Sequence, residues 1–218
     1  MSIINKKQSV IIIDLDGTLC EFEKKDKEII ALIFDSSKIV MALDKILRKI
    51  NNLDIIKTSN GILKARLRLY SMLVGRFDFV DVYEDYHNEY RRDTKQQLKK
   101  VYEKDILRLK EKGYEIIILS NNSFSKDLVM KENIDAKFIL VVTTNKSNAI
   151  LQLKRMLNIN IKYIIGNNIS EDIIPSNKQN VNSLYIGKSK IARTLARKIT
   201  TNKGSFSNIS QAVNYIIN

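Results

Sequence analysis

Val10-Ile11-Ile12-Ile13-Asp14-Leu15-Asp16-Gly17-Thr18-Leu19 is the stretch that decides the fold. An unbroken β-branched run that stops at charge and glycine reads as a fully buried strand closed by a turn, not as a helix. In open α/β sheets ligands bind beyond the carboxyl ends of the strands, and two aspartates one residue apart stand at that end here. Gly17 lets the chain turn sharply away. Asp and Gly are common in ordinary turns. What sets this turn apart is the conjunction of its specified positions with the buried strand before it.

Two carboxylates so close repel each other. A hard cation such as Mg²⁺ removes that cost, because it takes oxygen ligands from one or two carboxylates together with substrate phosphate. Asp14 is then the candidate nucleophile toward phosphorus, forming an aspartyl phosphate. Asp16 is the candidate acid/base, protonating the leaving oxygen and later deprotonating the attacking water.

Outward from this stretch, the polar segment 20–28, with alternating character at Cys20-Glu21-Phe22-Glu23, predicts a short hairpin flap. Asp35-Ser36-Ser37 starts a helix in which Ile39, Val40, Leu43, Ile46, Leu47 and Ile50 recur at helical spacing. Further helices are predicted over 62–73, ended by Gly75, and over 83–112, broken once and stopped by Gly113. Between 22 and 104 there is no convincing strand run. Beyond it, apolar strands at 114–119, 138–142, 163–165 and 183–186 alternate with helices at 124–132 and 147–157. That alternation predicts a right-handed, doubly wound parallel sheet. The tail 191–217 reads as helical, with Ser207 or Ser210 as a cap, and Pro175 ends or kinks a short helix.

Asp14-Leu15-Asp16-Gly17-Thr18 resembles the first signature motif of the haloacid dehalogenase-like hydrolases, in which the first Asp is the nucleophile and the second the acid/base. The second Asp marks the phosphate-processing branches. The resemblance implies three further motifs, and each has a counterpart. Ser120 follows Ile116-Ile117-Ile118-Leu119, and its hydroxyl and nearby N–H groups would hold a transferring phosphoryl group. Lys146, in Thr144-Asn145-Lys146-Ser147, would neutralise charge around the nucleophile. Tyr163-Ile164-Ile165-Gly166-Asn167-Asn168-Ile169-Ser170-Glu171-Asp172 fits the metal-binding fourth motif, except that Asn167 replaces the first acid. An amide oxygen coordinates Mg²⁺ but brings no charge, so affinity falls unless Asp172 or Glu171 compensates.

The expected phosphate-binding residues are therefore Gly17, Thr18, Ser120, Asn121 and Lys146. The expected metal ligands are Asp14, Asp16, Asn167 and Asp172. The implied architecture is α/β, a doubly wound parallel sheet in a Rossmann-like core (1–21 and 105–218) with an inserted helical cap domain (22–104) that closes over substrate. The expected activity is Mg²⁺-dependent hydrolysis of a phosphate monoester. The alternatives are a phosphomutase acting on a sugar phosphate, a nucleic-acid end phosphatase, and a non-catalytic binding homologue with the metal site weakened at Asn167.

Composition narrows the partners. A net charge of +13 suits a polyanion, but no recognised nucleic-acid motif accompanies it, so a small phosphorylated substrate is expected and nucleic acid is not favoured. No apolar run approaches a membrane span and 1–7 lacks a signal-peptide pattern, so a cytoplasmic protein without a membrane partner is expected. Cys20 is the only cysteine, which rules out an intramolecular disulfide or a Cys-based zinc site. His87, the only histidine, is expected at the surface or in a cap. Lys64, Arg66 and Arg68 alternate, which spreads them around a helix instead of along one face.

Overall fold

Ile11, Ile12 and Ile13 are fully buried because β1 (Ser9–Asp14) has a strand on either side and packed side chains on both faces. The computed structural model describes residues 9–51, 60–76, 78–121, 139–143, 145–156, 159–199 and 201–218. Its sheet joins β1 to β2 (Glu115–Ser120), β3 (Ile139–Val142), β4 (Asn160–Gly166), β5 (Ser183–Ile186) and β6 (Asn202–Phe206). The order is β3-β2-β1-β4-β5-β6, every pairing parallel. Chain order runs one way from β1 through β3 and the other way from β4 through β6. The switch point thus lies between β1 and β4, where such sheets open a crevice at their carboxyl edge. Register brings four strand ends level there: Asp14 opposite Leu119, Ser120 opposite Val142, and Ile13 opposite Ile165.

Side-chain alternation explains the unbroken apolar run. Ile11 and Ile13 pack with Ile116, Ile118 and Ile165 into one core layer, while Val10 and Ile12 pack with Ile117, Leu119 and Ile164 into the other. Each fully buried aliphatic side chain contributes roughly 1.5–3 kcal/mol. With both faces covered, no position in β1 is left for a polar residue until the strand ends.

By contacts the chain divides into an α/β unit, Met1–Glu21 with Lys95–Asn218, and a helical unit, Phe22–Thr94. The helical unit holds α1 (Phe22–Ile33), α2 (Lys38–Asn51), α3 (Asn60–Leu73) and most of α4 (Phe79–Val101). The hairpin flap expected over 20–28 does not form: α1 begins at Phe22. Four alternating residues are outweighed by Ile29, Ile30 and Ile33, which bury one helical face. Ser36 N donates to Ala31 O at 2.7 Å, and Asp35 and Ser36 take the left-handed conformation that closes α1 without a glycine.

Inside this unit Arg66 is buried with two acids. Its guanidinium donates to Asp44 Oδ1 at 2.5 Å and to Asp26 Oδ2 at 3.3 Å. Tyr70 Oη donates to Asp44 at 2.9 Å, and Tyr86 Oη donates to Asp26. Alternation at 64, 66 and 68 therefore separates Arg66 inward from Lys64 and Arg68, which lie exposed over the rings of Tyr83 and Phe79. His87 is tilted against the Tyr83 ring at 6.5 Å.

The predicted single break in the long helix is a π-helical turn, Tyr102–Ile106, followed by α5 (Leu107–Glu111) and the left-handed Gly113. Leu98 and Ile106 belong to the core layer under β1, so contacts assign the chain from Lys95 onward to the α/β unit, ahead of the boundary at 105 read above. The helix expected over 124–132 and residue 138 lie outside the described residues. α6 (Lys146–Met156) leads into β4, after which come a π-helical turn (Ile169–Ile173) and α7 (Ile174–Lys178).

Two expectations for the last third are corrected. Pro175 does not end a helix; it sits in the first turn of α7, where its missing N–H costs nothing. The tail is not one helix either: α8 (Lys190–Arg197) and α9 (Ile209–Ile217) flank β6. β6, with sequence Asn-Lys-Gly-Ser-Phe, is a short polar edge strand and so carries no apolar run to announce it. Asn208, not Ser207 or Ser210, caps α9 by accepting from Gln211 N at 3.0 Å. Ser210 instead reaches Asp105 at 2.7 Å. Among the described residues no helix is long and apolar enough to cross a membrane.

Candidate functional site

The loop after β1 folds back tightly, with Leu19 N and Cys20 N both donating to Leu15 O at 3.0 and 2.9 Å. That return places Thr18 under Asp14, and Thr18 Oγ1 donates to Asp14 Oδ2 at 3.1 Å. The other oxygen, Oδ1, accepts from Lys146 Nζ at 2.5 Å. Both oxygens of the strand-end carboxylate are thereby oriented, and Asp14 is only 8% exposed.

Lys146 is the first residue of α6, whose start is capped by Asn145 Oδ1 accepting from Asn148 N at 3.0 Å. It is 6% exposed, and the same ammonium also donates to Asp172 Oδ1 at 2.6 Å. Asp172 is held from its own loop: Asn168 N donates to its Oδ2 at 2.9 Å. Asn168 Oδ1 in turn accepts from Ser170 N at 3.0 Å and Glu171 N at 3.2 Å, capping the π-helical turn. Gly166 is required before it, since a β-carbon there would lie 2.3 Å from Asp172 Cγ.

The first and fourth sequence motifs meet at a second point. A β-carbon on Gly17 would fall 1.8 Å from Asn167 Nδ2, so the amide closes directly onto the glycine. Gly17 also has φ +86°. Gly17→Ala is expected to cost the roughly 1–2 kcal/mol of a left-handed alanine plus the displacement of Asn167. Gly113→Ala, with φ +82° and nothing within 4 Å of its added carbon, should show only the first part. Thermal melts of the two variants check this, and equal losses would mean that Asn167 does not press on Gly17.

The remaining expected residues fall as follows. Ser120 ends β2 and is buried, its carbonyl accepting from Thr143 N at 2.9 Å. Asn121 is exposed and donates to Glu171 Oε2 at 2.8 Å, which ties the loop after β2 to the loop after β4. Asp16 is half-buried on the turn, two residues beyond Asp14. The structure thus brings Asp14, Thr18, Lys146 and Asp172 into one hydrogen-bonded group, with Gly17 and Asn167 packed beside each other. Ile12, Leu119, Ile150 and Ile164 line its apolar side, together with Glu171. Two roles escaped the sequence: Asn168 as the residue that shapes the Asp172 loop, and Glu171 as the partner of Asn121. An Asn two residues before a Ser in a polar loop was the available signal for the first, since that spacing favours a local side-chain turn.

Burial, and after it the charge of Asp172, push the Asp14 carboxyl up to about 7; Lys146 pulls it down and Asp16 adds to the rise. Burial works against the charge on Lys146, yet Asp14 and Asp172 outweigh it and hold its pKa above the ordinary value. One ammonium among Asp14, Asp16 and Asp172 leaves the group short of positive charge. Among the described residues no three acidic, His or Cys side chains are grouped at metal-binding spacing, and Lys146 Nζ lies between Asp14 and Asp172. The donor set nevertheless fits a hard divalent cation: its carboxylate and amide oxygens are the ligands such a cation takes, and its charge deficit is what the cation would supply.

No protein-family model matches the chain, and no curated protein matches it in sequence. Solved structures do match in fold. YfnB from Bacillus subtilis, provisionally described as a HAD-hydrolase and bound to magnesium, superposes with a TM-score of 0.65 at 12% identity, covering 98% of this chain and 100% of its own. A provisional β-phosphoglucomutase from Thermotoga maritima gives 0.63 at 12% identity over 95% of this chain and 98% of that one. A predicted phosphatase from Clostridium acetobutylicum gives 0.54 at 18% identity over 97% and 98%.

Proposed function

We propose that this chain, which has the fold of the haloacid dehalogenase-like hydrolases, is a Mg²⁺-dependent phosphatase that acts through an aspartyl phosphate on Asp14. The observation that carries the reading is the buried group in which Lys146 holds Asp14 and Asp172 together at the carboxyl edge of the sheet. In the first step a carboxylate oxygen of Asp14 attacks phosphorus, the bond to the leaving oxygen breaks, and Asp16 gives that oxygen a proton. In the second, Asp16 takes a proton from water, which attacks the same phosphorus and releases inorganic phosphate and free Asp14. Lys146 balances charge, and Gly17, Thr18, Ser120 and Asn121 are assigned to the phosphoryl group, though Thr18 is already a donor to Asp14. Asp14, Asp16, Asn167 and Asp172 would hold the magnesium ion, which would supply the positive charge that the group lacks. Positioning and charge compensation do most of the work in such transfers. The helical unit is assigned the role of the substrate-selecting cap, supported by its insertion between the first and second motifs.

Asn167 favours a second reading, a non-catalytic homologue that binds a phosphorylated ligand. Phosphate release from sugar phosphates, nucleotides and other small esters, with magnesium titrated or removed by EDTA, separates the two. Turnover that EDTA abolishes and magnesium restores is expected. Release of no phosphate at any magnesium concentration, with an ester still bound, would establish the second reading instead.

A further inference from the structure

Residues 173–218 contain seven Lys and Arg and no Asp or Glu, which is more than half of the net charge of +13 in about a fifth of the chain. α8 concentrates that charge beside exposed aliphatic residues. Ile191 is 75% exposed and Leu195 52%, one helical turn apart on the same side. Lys198 follows on the same side, Lys190 and Arg197 are exposed roughly 100° further round the helix, and Lys188 is exposed just ahead of it.

The helix is mounted rigidly. Ala192, Ala196 and Ile199 pack against Ile173 and Tyr185, and Ser189 Oγ caps it by accepting from Ala192 N at 3.3 Å. Arg193 Nη1 donates to Gly187 O at 2.7 Å and Lys188 O at 3.1 Å, fixing the turn by which the chain leaves β5. Neither aliphatic side chain helps to hold the fold.

We infer that this face of α8 docks on an anionic lipid surface. The cations call for a negatively charged partner, and the segment itself carries no acid to oppose one. A nucleic-acid backbone would use the cations but offers no seat for two protruding aliphatics. Lipid headgroups over acyl chains satisfy both, as they do for helices lying in the membrane interface. No spanning segment is needed, so the expectation of no membrane partner drawn from hydropathy does not apply to this mode.

The test is co-sedimentation of the full chain with vesicles of phosphatidylcholine alone or mixed with phosphatidylglycerol, at physiological salt. Binding to the mixed vesicles only is expected. Ile191→Ser with Leu195→Ser should weaken the partition by roughly tenfold, and Lys190→Gln with Arg197→Gln and Lys198→Gln by at least as much. All five residues are exposed, so the variants keep the fold, which circular dichroism verifies. Phosphate release from a soluble ester should be unchanged in both, so this inference and the phosphatase reading fail separately. No binding to mixed vesicles would overturn the inference. So would full retention by the serine variant, or stripping from vesicles by an oligonucleotide that the serine variant binds as well as the parent chain does.

Discussion

Asp14→Asn is expected to abolish phosphate release, lowering the rate by about four orders of magnitude or more, because an amide neither attacks phosphorus nor carries the charge that Lys146 and a cation offset. The loss must appear in kcat rather than in substrate affinity, since the group acts only once substrate is in place. Folding should survive. Asp14 costs free energy as an ion, its carboxyl being held up to about 7 by burial first and by Asp172 second. A neutral amide in its place removes that cost but leaves Lys146 with Asp172 alone. A thermal melt beside the activity assay distinguishes lost chemistry from lost structure. An Asp14→Asn protein that turns over at more than about a tenth of the parent rate would remove Asp14 as the nucleophile.

Arg66→Ala is expected to produce the largest loss of stability. Arg66, Asp26 and Asp44 are almost wholly buried, and removing the guanidinium leaves two carboxylates without the cation that both contact. Breaking a buried ion pair by removing one partner costs about 3–5 kcal/mol, which in a chain of 218 residues lowers the melting temperature by roughly 10 °C. Burial opposes the charge on Arg66, yet Asp26, Tyr70 and Asp44 hold its pKa above the ordinary value. The mechanism predicts a rescue. Adding Asp26→Asn and Asp44→Asn to Arg66→Met removes the charges that the guanidinium offset while keeping volume, and should recover a substantial part of the loss. A cost below about 1 kcal/mol for Arg66→Ala is the value of a surface pair, and would contradict the burial described for the group.

Hydrophobic pattern was enough to read the sheet wherever strands are buried on both faces. Val10 to Ile13, Ile116 to Leu119 and Ile164 to Ile165 are apolar without interruption because both faces of the sheet are covered there. The polar residues that end those runs mark the carboxyl edge, so Asp14, Ser120 and the loop after Gly166 could be placed together before any coordinates. β6 was invisible for the converse reason: as a polar edge strand it is specified by the open side of β5 and not by its own composition. Likewise α1 showed four alternating residues at its start, and only the burial of Ile29, Ile30 and Ile33 reveals the period that prevails.

The sequence by itself determined the fold class and which end of the sheet carries the polar motifs, because a buried parallel strand and its terminating turn are local patterns. Resemblance to a family suggested that Lys146 stands near Asp14, but the contacts themselves are a matter of tertiary structure. Lys146 lies 132 positions from Asp14, and only the level ends of β1 and β4, with α6 starting beside them, let one ammonium span Asp14 and Asp172. Arg66 lies 40 positions from Asp26 and 22 from Asp44, and nothing in their spacing announces that α3 turns this one of three alternating cations inward. Local periodicity says which face of an element is apolar. Which polar groups that face then encloses depends on how the elements cross, and that is settled only when they pack.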